Sequence, residues 1–185
     1  MLVEVRWHGR GGQGIVTVSR LLAQAALVDG KHVQAFPEFG PERRGAPVTG
    51  YTRISDEPIV IHSHIYSPNI VVIVDPTLLG KIDVTRGLVK NGTVVAHSDR
   101  KPEQLRKELG VDKAHVYTVN AARIALDILG RPIYNTAMLG ALVRATPLVS
   151  MDSLVKVIKE RFPGTVGEKN VAVIKRAYEE VSGFE

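Results

Sequence analysis

Short β-branched runs alternate with longer stretches of helical apolar spacing along most of this chain. Leu2 to Trp7 reads as a strand, Ile15 to Leu27 as a helix and His32 to Phe36 as a second strand. Asn69 to Val74, Thr93 to Ala96 and Ala114 to Val119 have strand length and composition. Ala121 to Leu129 reads as a helix with Asn120 as N-cap and Gly130 followed by Pro132 as its stop. Three more helices are predicted at about Asn135 to Ala145, Ser150 to Arg161 and Gly167 to Val181; in the last, Val171, Ile174 and Tyr178 fall on one face. Val48 to Ile54 alternates as a strand does, and with a short partner near Pro58 to His62 it predicts an antiparallel excursion. The rhythm as a whole predicts a single α/β domain over residues 1–185. Its expected architecture is three-layered, with a Rossmann-like start and a largely parallel or mixed sheet carrying helices on both faces.

Composition narrows the classes. A chain of 185 residues, 44% hydrophobic and 23% charged, can bury one substantial core. No apolar run approaches the roughly 20 residues of a membrane span, and the first residues lack the basic and apolar blocks of a signal peptide, so the expected location is cytoplasmic. The absence of cysteine excludes disulfides, thiolate nucleophiles and a cysteine-held iron–sulfur cluster in this chain. A net charge of +5 suggests an anionic ligand or an acidic partner, but the cations are dispersed and aromatics are 5%, which argues against nucleic acid.

The chemistry that stands out is Gly9-Arg10-Gly11-Gly12-Gln13-Gly14 between the first strand and first helix. A strand feeding a helix through glycines permits positive φ and close approach of a ligand, and a helix start offers N–H groups and a positive dipole end to an anion. The same residues also make a tight βα turn. The spacing satisfies G-x-G-x-x-G, which leaves a stand-alone NAD-dependent oxidoreductase as an alternative. That alternative lacks the acid expected at the end of the second strand, since Glu38 lies beyond it. A nucleotide triphosphatase is excluded because Gly14-Ile15-Val16 stands where Gly-Lys-Ser/Thr would be needed.

The stretch Pro37 to Pro47, PEFGPERRGAP, combines three prolines and two glycines and predicts a loop of fixed shape. It follows the second strand, which puts Glu42, Arg43 and Arg44 on the same sheet edge as the glycine turn, where open α/β sheets bind ligands. Arg10, Arg43 and Arg44 suit phosphate or carboxylate; solvated loop charges or a subunit salt bridge are the competing readings. Asp75 before Pro76 reads foremost as a cap. His62 and His64 would share a strand face as a possible metal pair but have no third ligand, and His8 beside the turn either touches a ligand or satisfies backbone groups. No nucleophile elbow, paired carboxylates or His-Glu-x-x-His motif supplies a catalytic residue, which points to a component of a larger catalyst or to a site using a cofactor held mainly by another chain.

On HGRGGQG at His8 to Gly14, FGPERRGAP at Phe39 to Pro47, VDP at Val74 to Pro76 and Asn135-Thr136-Ala137-Met138-Leu139-Gly140, the whole chain resembles the gamma subunit, or the corresponding fused domain, of 2-oxoacid:ferredoxin oxidoreductases. The resemblance implies an enzyme that decarboxylates a 2-oxoacid such as pyruvate or ketoisovalerate on thiamine diphosphate. Electrons then pass through iron–sulfur clusters to ferredoxin, and the acyl group goes to coenzyme A. It implies partners of alpha, beta and delta type that carry the thiamine diphosphate, Mg and clusters, with no cofactor held by this chain alone and no activity in isolation. The glycine turn (Gly9, Arg10, Gly11, Gly12, Gln13, Gly14) and Glu42, Arg43 and Arg44 would then lie at a subunit junction, available to coenzyme A phosphates or neighbouring acidic groups.

Overall fold

The computed structural model describes residues 1–38 and 43–184. Seven strands form one mixed sheet: β1 (Leu2–Arg10), β2 (His32–Pro37), β3 (Pro47–Ser55), β4 (Ile70–Ile73), β5 (Thr93–His97), β6 (His115–Val119) and β7 (Ser182–Phe184), in the order β2-β3-β1-β4-β5-β6-β7. β1, β4, β5 and β6 run parallel, β3 is antiparallel to both β1 and β2, and β7 is antiparallel to β6. Five helices, α1 (Ile15–Val28), α3 (Ala121–Leu129), α4 (Asn135–Ala145), α5 (Met151–Arg161) and α6 (Thr165–Glu180), belong to the larger layer. The other face carries a 3₁₀ turn (Pro76–Leu78) and α2 (Pro102–Leu109).

Period-2 alternation in the central strands divides the core. Val5, Trp7, Ile70, Val72 and Val95 pack with α1, α3, α4, α5 and α6, whereas Val71, Ile73, Val94 and Ala96 meet Leu78 and Leu105 on the opposite side. A buried polar chain ties the layers: Trp7 Nε1 donates to Thr52 Oγ1 at 3.1 Å, and Thr52 Oγ1 donates to the Ser19 carbonyl at 2.9 Å. Asp29, closing α1, accepts from the Ser150 and Ser153 hydroxyls at 2.8 and 2.5 Å and so fixes the start of α5.

The mixed sheet and its helices on both faces agree with the sequence reading, and α3 and α4 have the expected bounds. Asn120 caps α3 by accepting from the Arg123 N–H, and Ser150 caps α5 in the same way through Ser153. The antiparallel excursion is corrected: β3 is inserted within the sheet between β2 and β1, and residues 58–62 form no strand. The reason is a buried arginine. Arg53, 1% exposed, is paired with Glu4 at 2.7 Å and also takes the carbonyls of Ile61, Ser63 and His64, so that segment's acceptors serve a guanidinium instead of a ladder. His62 and His64 therefore do not share a strand face; His64 stacks on Tyr51 with ring centroids 5.5 Å apart.

Candidate functional site

β1 delivers the glycine turn to the carboxyl edge of the sheet, and because β2 points the same way its following loop returns to the same edge. Backbone bonds lock turn and loop together: Gly11 N–H donates to the Ala46 carbonyl at 2.8 Å and Gly45 N–H to the Gly11 carbonyl at 3.0 Å. A Cβ on Gly11 would lie 2.5 Å from the Arg43 carbonyl oxygen, so the close approach that glycine permits here is used by the chain itself. Arg43 and Arg44 are exposed beside the turn, while Glu42 lies outside the described residues.

The remaining turn residues form a framework. Gln13 spans the corner, accepting from the Arg10 N–H at 2.7 Å and donating to Asp75 Oδ2 at 2.6 Å. Arg10 donates to Thr77 Oγ1 at 3.0 Å and to the Gly45 carbonyl at 3.0 Å, with Asp75 Oδ2 at 3.4 Å, so its guanidinium is engaged in the framework and Arg43 and Arg44 are the exposed cations. Gly14, with φ 72°, starts α1 without a side-chain cap, and a Cβ there would sit 2.3 Å from Asn135 Nδ2. Beside it a cleft of about 250 Å³ is lined by Gly12, Gln13, Gly14, Ile133, Tyr134 and Asn135.

Asp75 caps the 3₁₀ turn through the Thr77 N–H, as its Asp-Pro context predicts, and also anchors Gln13 and Arg10. Burial pushes this carboxyl up, but hydrogen bonds from Thr77 and Gln13 and the charge of Arg10 outweigh that and hold it below its ordinary 3.8. Its contribution is thus complete above that ordinary value and is lost as pH falls through the lower folded value. Asp75→Asn turns an amide N–H₂ either toward the Thr77 N–H or toward Gln13 and Arg10, and an apparent loss of about 1–3 kcal/mol is expected. Urea titrations at pH 7 and pH 3 check it: the loss should be larger at pH 7.

Sequence reasoning missed three neighbours. His97 ends β5 as Asp75 follows β4, and its ring tilts against Tyr134 with centroids 4.6 Å apart. Burial lowers the His97 pKa, and burial with the nearby Asp75 charge raises that of Tyr134, so both are neutral near pH 7. Asn135, named above only as a helix start and within a motif, joins α4 to the turn; polar residues at strand and helix ends were the available signal. His8 is buried, with Nε2 accepting from Arg6 Nε at 3.0 Å and Nδ1 without a protein partner.

The NAD reading is not supported by this geometry. Antiparallel β3 occupies the place beside β1 that the second parallel strand takes in a dinucleotide fold, and the Gly11 and Gln13 N–H groups are spent on the Ala46 and Arg10 carbonyls. No three His, Asp or Glu gather as a metal site among the described residues. No helix among them is long and apolar enough to cross a membrane.

A family model described as pyruvate ferredoxin/flavodoxin oxidoreductase matches residues 4–180. A pyruvate/ketoisovalerate oxidoreductases common subunit gamma from Pyrococcus furiosus is 50% identical over 184 residues, covering 100% of both chains. A pyruvate synthase subunit PorC from Methanothermobacter thermautotrophicus is 50% identical over 180 residues, covering 97% of this chain and 96% of that protein. The crystal structure of a pyruvate oxidoreductase subunit PORC from Thermotoga maritima is similar with a TM-score of 0.90 at 40% identity, covering 100% of this chain and 99% of that one.

Proposed function

The chain belongs to the pyruvate ferredoxin/flavodoxin oxidoreductase family, and we propose that it serves as the gamma subunit of a 2-oxoacid:ferredoxin oxidoreductase. The substrate class is pyruvate or a branched-chain 2-oxoacid, with coenzyme A as acyl acceptor and ferredoxin as electron acceptor. Thiamine diphosphate with Mg and the iron–sulfur clusters are assigned to alpha-, beta- and delta-type partners, where they supply the decarboxylation and electron-transfer chemistry. The cysteine-free composition of this chain supports that division, because it has no thiolate with which to hold a cluster.

This chain contributes a rigid corner at the junction. The observation that carries the reading is the interlock of turn and loop through Gly11, Gly45 and Ala46, which presents exposed Arg43 and Arg44 at the carboxyl edge while Arg10 and Gln13 are tied down to Asp75. Guanidinium groups so presented suit the phosphates of coenzyme A. Charge-assisted bonds of this kind contribute about 1.5–3 kcal/mol each. In the assembled enzyme, Arg43→Ala with Arg44→Ala is expected to raise KM for coenzyme A about tenfold or more, with KM for the 2-oxoacid unchanged. Failed assembly with normal coenzyme A kinetics in the residual complex would instead make the loop a subunit contact and remove its ligand role.

A further inference from the structure

Next to the interlocked corner, α1, α3, α4, α5 and α6 leave a second groove of about 470 Å³, which shares Ile133 and Asn135 with the cleft beside Gly14. Its floor is closed to specific polar recognition: Thr136 Oγ1 donates to Asn170 Oδ1 at 2.8 Å, and Asn170 Nδ2 donates to the Val166 carbonyl at 2.9 Å. Its rim is different. Arg131, Arg161 and Lys169 line it with no carboxylate among the lining residues, and none of the three makes an ion pair among the described residues. Between them Ile133 and Val166 are 53% and 56% exposed.

A pocket for a small organic ligand places convergent polar groups at its base and buries its apolar wall. Here the base is self-satisfied, and the apolar lining steps from half-buried Leu129 and Phe162 out to exposed Ile133 and Val166, beside three exposed cations. That is the anatomy of a protein contact, an apolar centre within a charged rim of one sign. We infer that this groove is a docking site for an acidic segment of a partner subunit, with an apolar side chain seated between Ile133 and Val166 and carboxylates against Arg131, Arg161 and Lys169. The inference rests on the chain's being a subunit of a larger enzyme. It also links assembly to the corner, since a segment in this groove borders Asn135, whose amide donates to the Gly14 carbonyl at 3.4 Å.

The test uses the complete enzyme. A photoreactive side chain installed at Val166 should cross-link, in the purified complex, to an Asp/Glu-rich segment of a companion chain. The variant Arg131→Glu with Lys169→Glu should weaken association with companion subunits at least tenfold and lessen its salt sensitivity, whereas Lys81→Glu with Lys90→Glu, at exposed positions outside the groove, should not. Unchanged melting of the isolated variants, all substituted at exposed positions, would show that folding is intact; a variant that melts early is replaced by Val166→Asp in the same association assay. A cross-link to a second copy of this chain only, no cross-link in the intact complex, or loss of the cross-link on adding coenzyme A would each overturn the docking assignment. Absence of any wild-type complex would overturn the subunit reading instead.

Discussion

Gly140→Ala is expected to destabilise the chain by about 3 kcal/mol or more, the upper range for overpacking, although a glycine-to-alanine change inside an open helix stabilises by about 1 kcal/mol. The sign reverses because a Cβ at Gly140 would lie 2.1 Å from the backbone oxygen of Ile174 in α6. Neither side can yield by rotating a side chain, so the two helices must part, and with them Ala137, Leu139, Ala141 and Ile174, all 0% exposed. Thr136 and Asn170, one turn nearer the site, would separate too. Urea unfolding of the isolated chain measures this directly, with Gly110→Ala as a partial control, since Gly110 meets nothing within 4 Å and carries only the cost of its positive φ.

The second large effect is a loss of stability in mild acid centred on His8. Burial, and then the neighbouring Arg6 charge, push its pKa down from 6.5 to about 4. The unfolded chain takes up the proton first as pH falls, so stability is full above pH 6.5, declines between there and about pH 4, and levels below. The whole interval corresponds to about 3 kcal/mol, and about 2 kcal/mol should go between pH 7 and pH 5, before most carboxylates titrate. His8→Gln retains an acceptor for Arg6 Nε and should remove this share of the slope, leaving the share that the lowered His97 contributes. Chemical denaturation at several pH values checks it, and an equal slope in the variant would place the acid sensitivity in other groups.

Much of this fold was legible because its signals are local. Asn120 and Gly130 bracket α3, Asp-Pro marks the cap after β4, and β-branched runs announce β4, β5 and β6. What escaped depends on distant partners. Nothing in the alternation of residues 48–54 tells whether that strand extends the sheet or enters it between β2 and β1. Arg53 decides the path of residues 58–64 through contacts that periodicity does not encode. α2 went unread because only Pro102 and Leu105 of its eight residues are buried, too few to show a stripe. At the site, the glycine turn and Arg43 and Arg44 lie on one edge as expected, but the neighbour that crowds Gly14, beyond its positive φ, is Asn135, 121 residues away. The motif Asn135 to Gly140, seen at first only as a likeness, has a physical basis in two contacts, Asn135 with the turn and Gly140 with α6.

This corner acts only inside an assembly. The most direct measurement is 2-oxoacid- and coenzyme A-dependent reduction of ferredoxin by the complete enzyme, by the enzyme depleted of this chain, and by this chain alone. Activity confined to the complete enzyme and restored by adding the chain back is the predicted result; turnover by the isolated chain, or full turnover without it, would contradict the account.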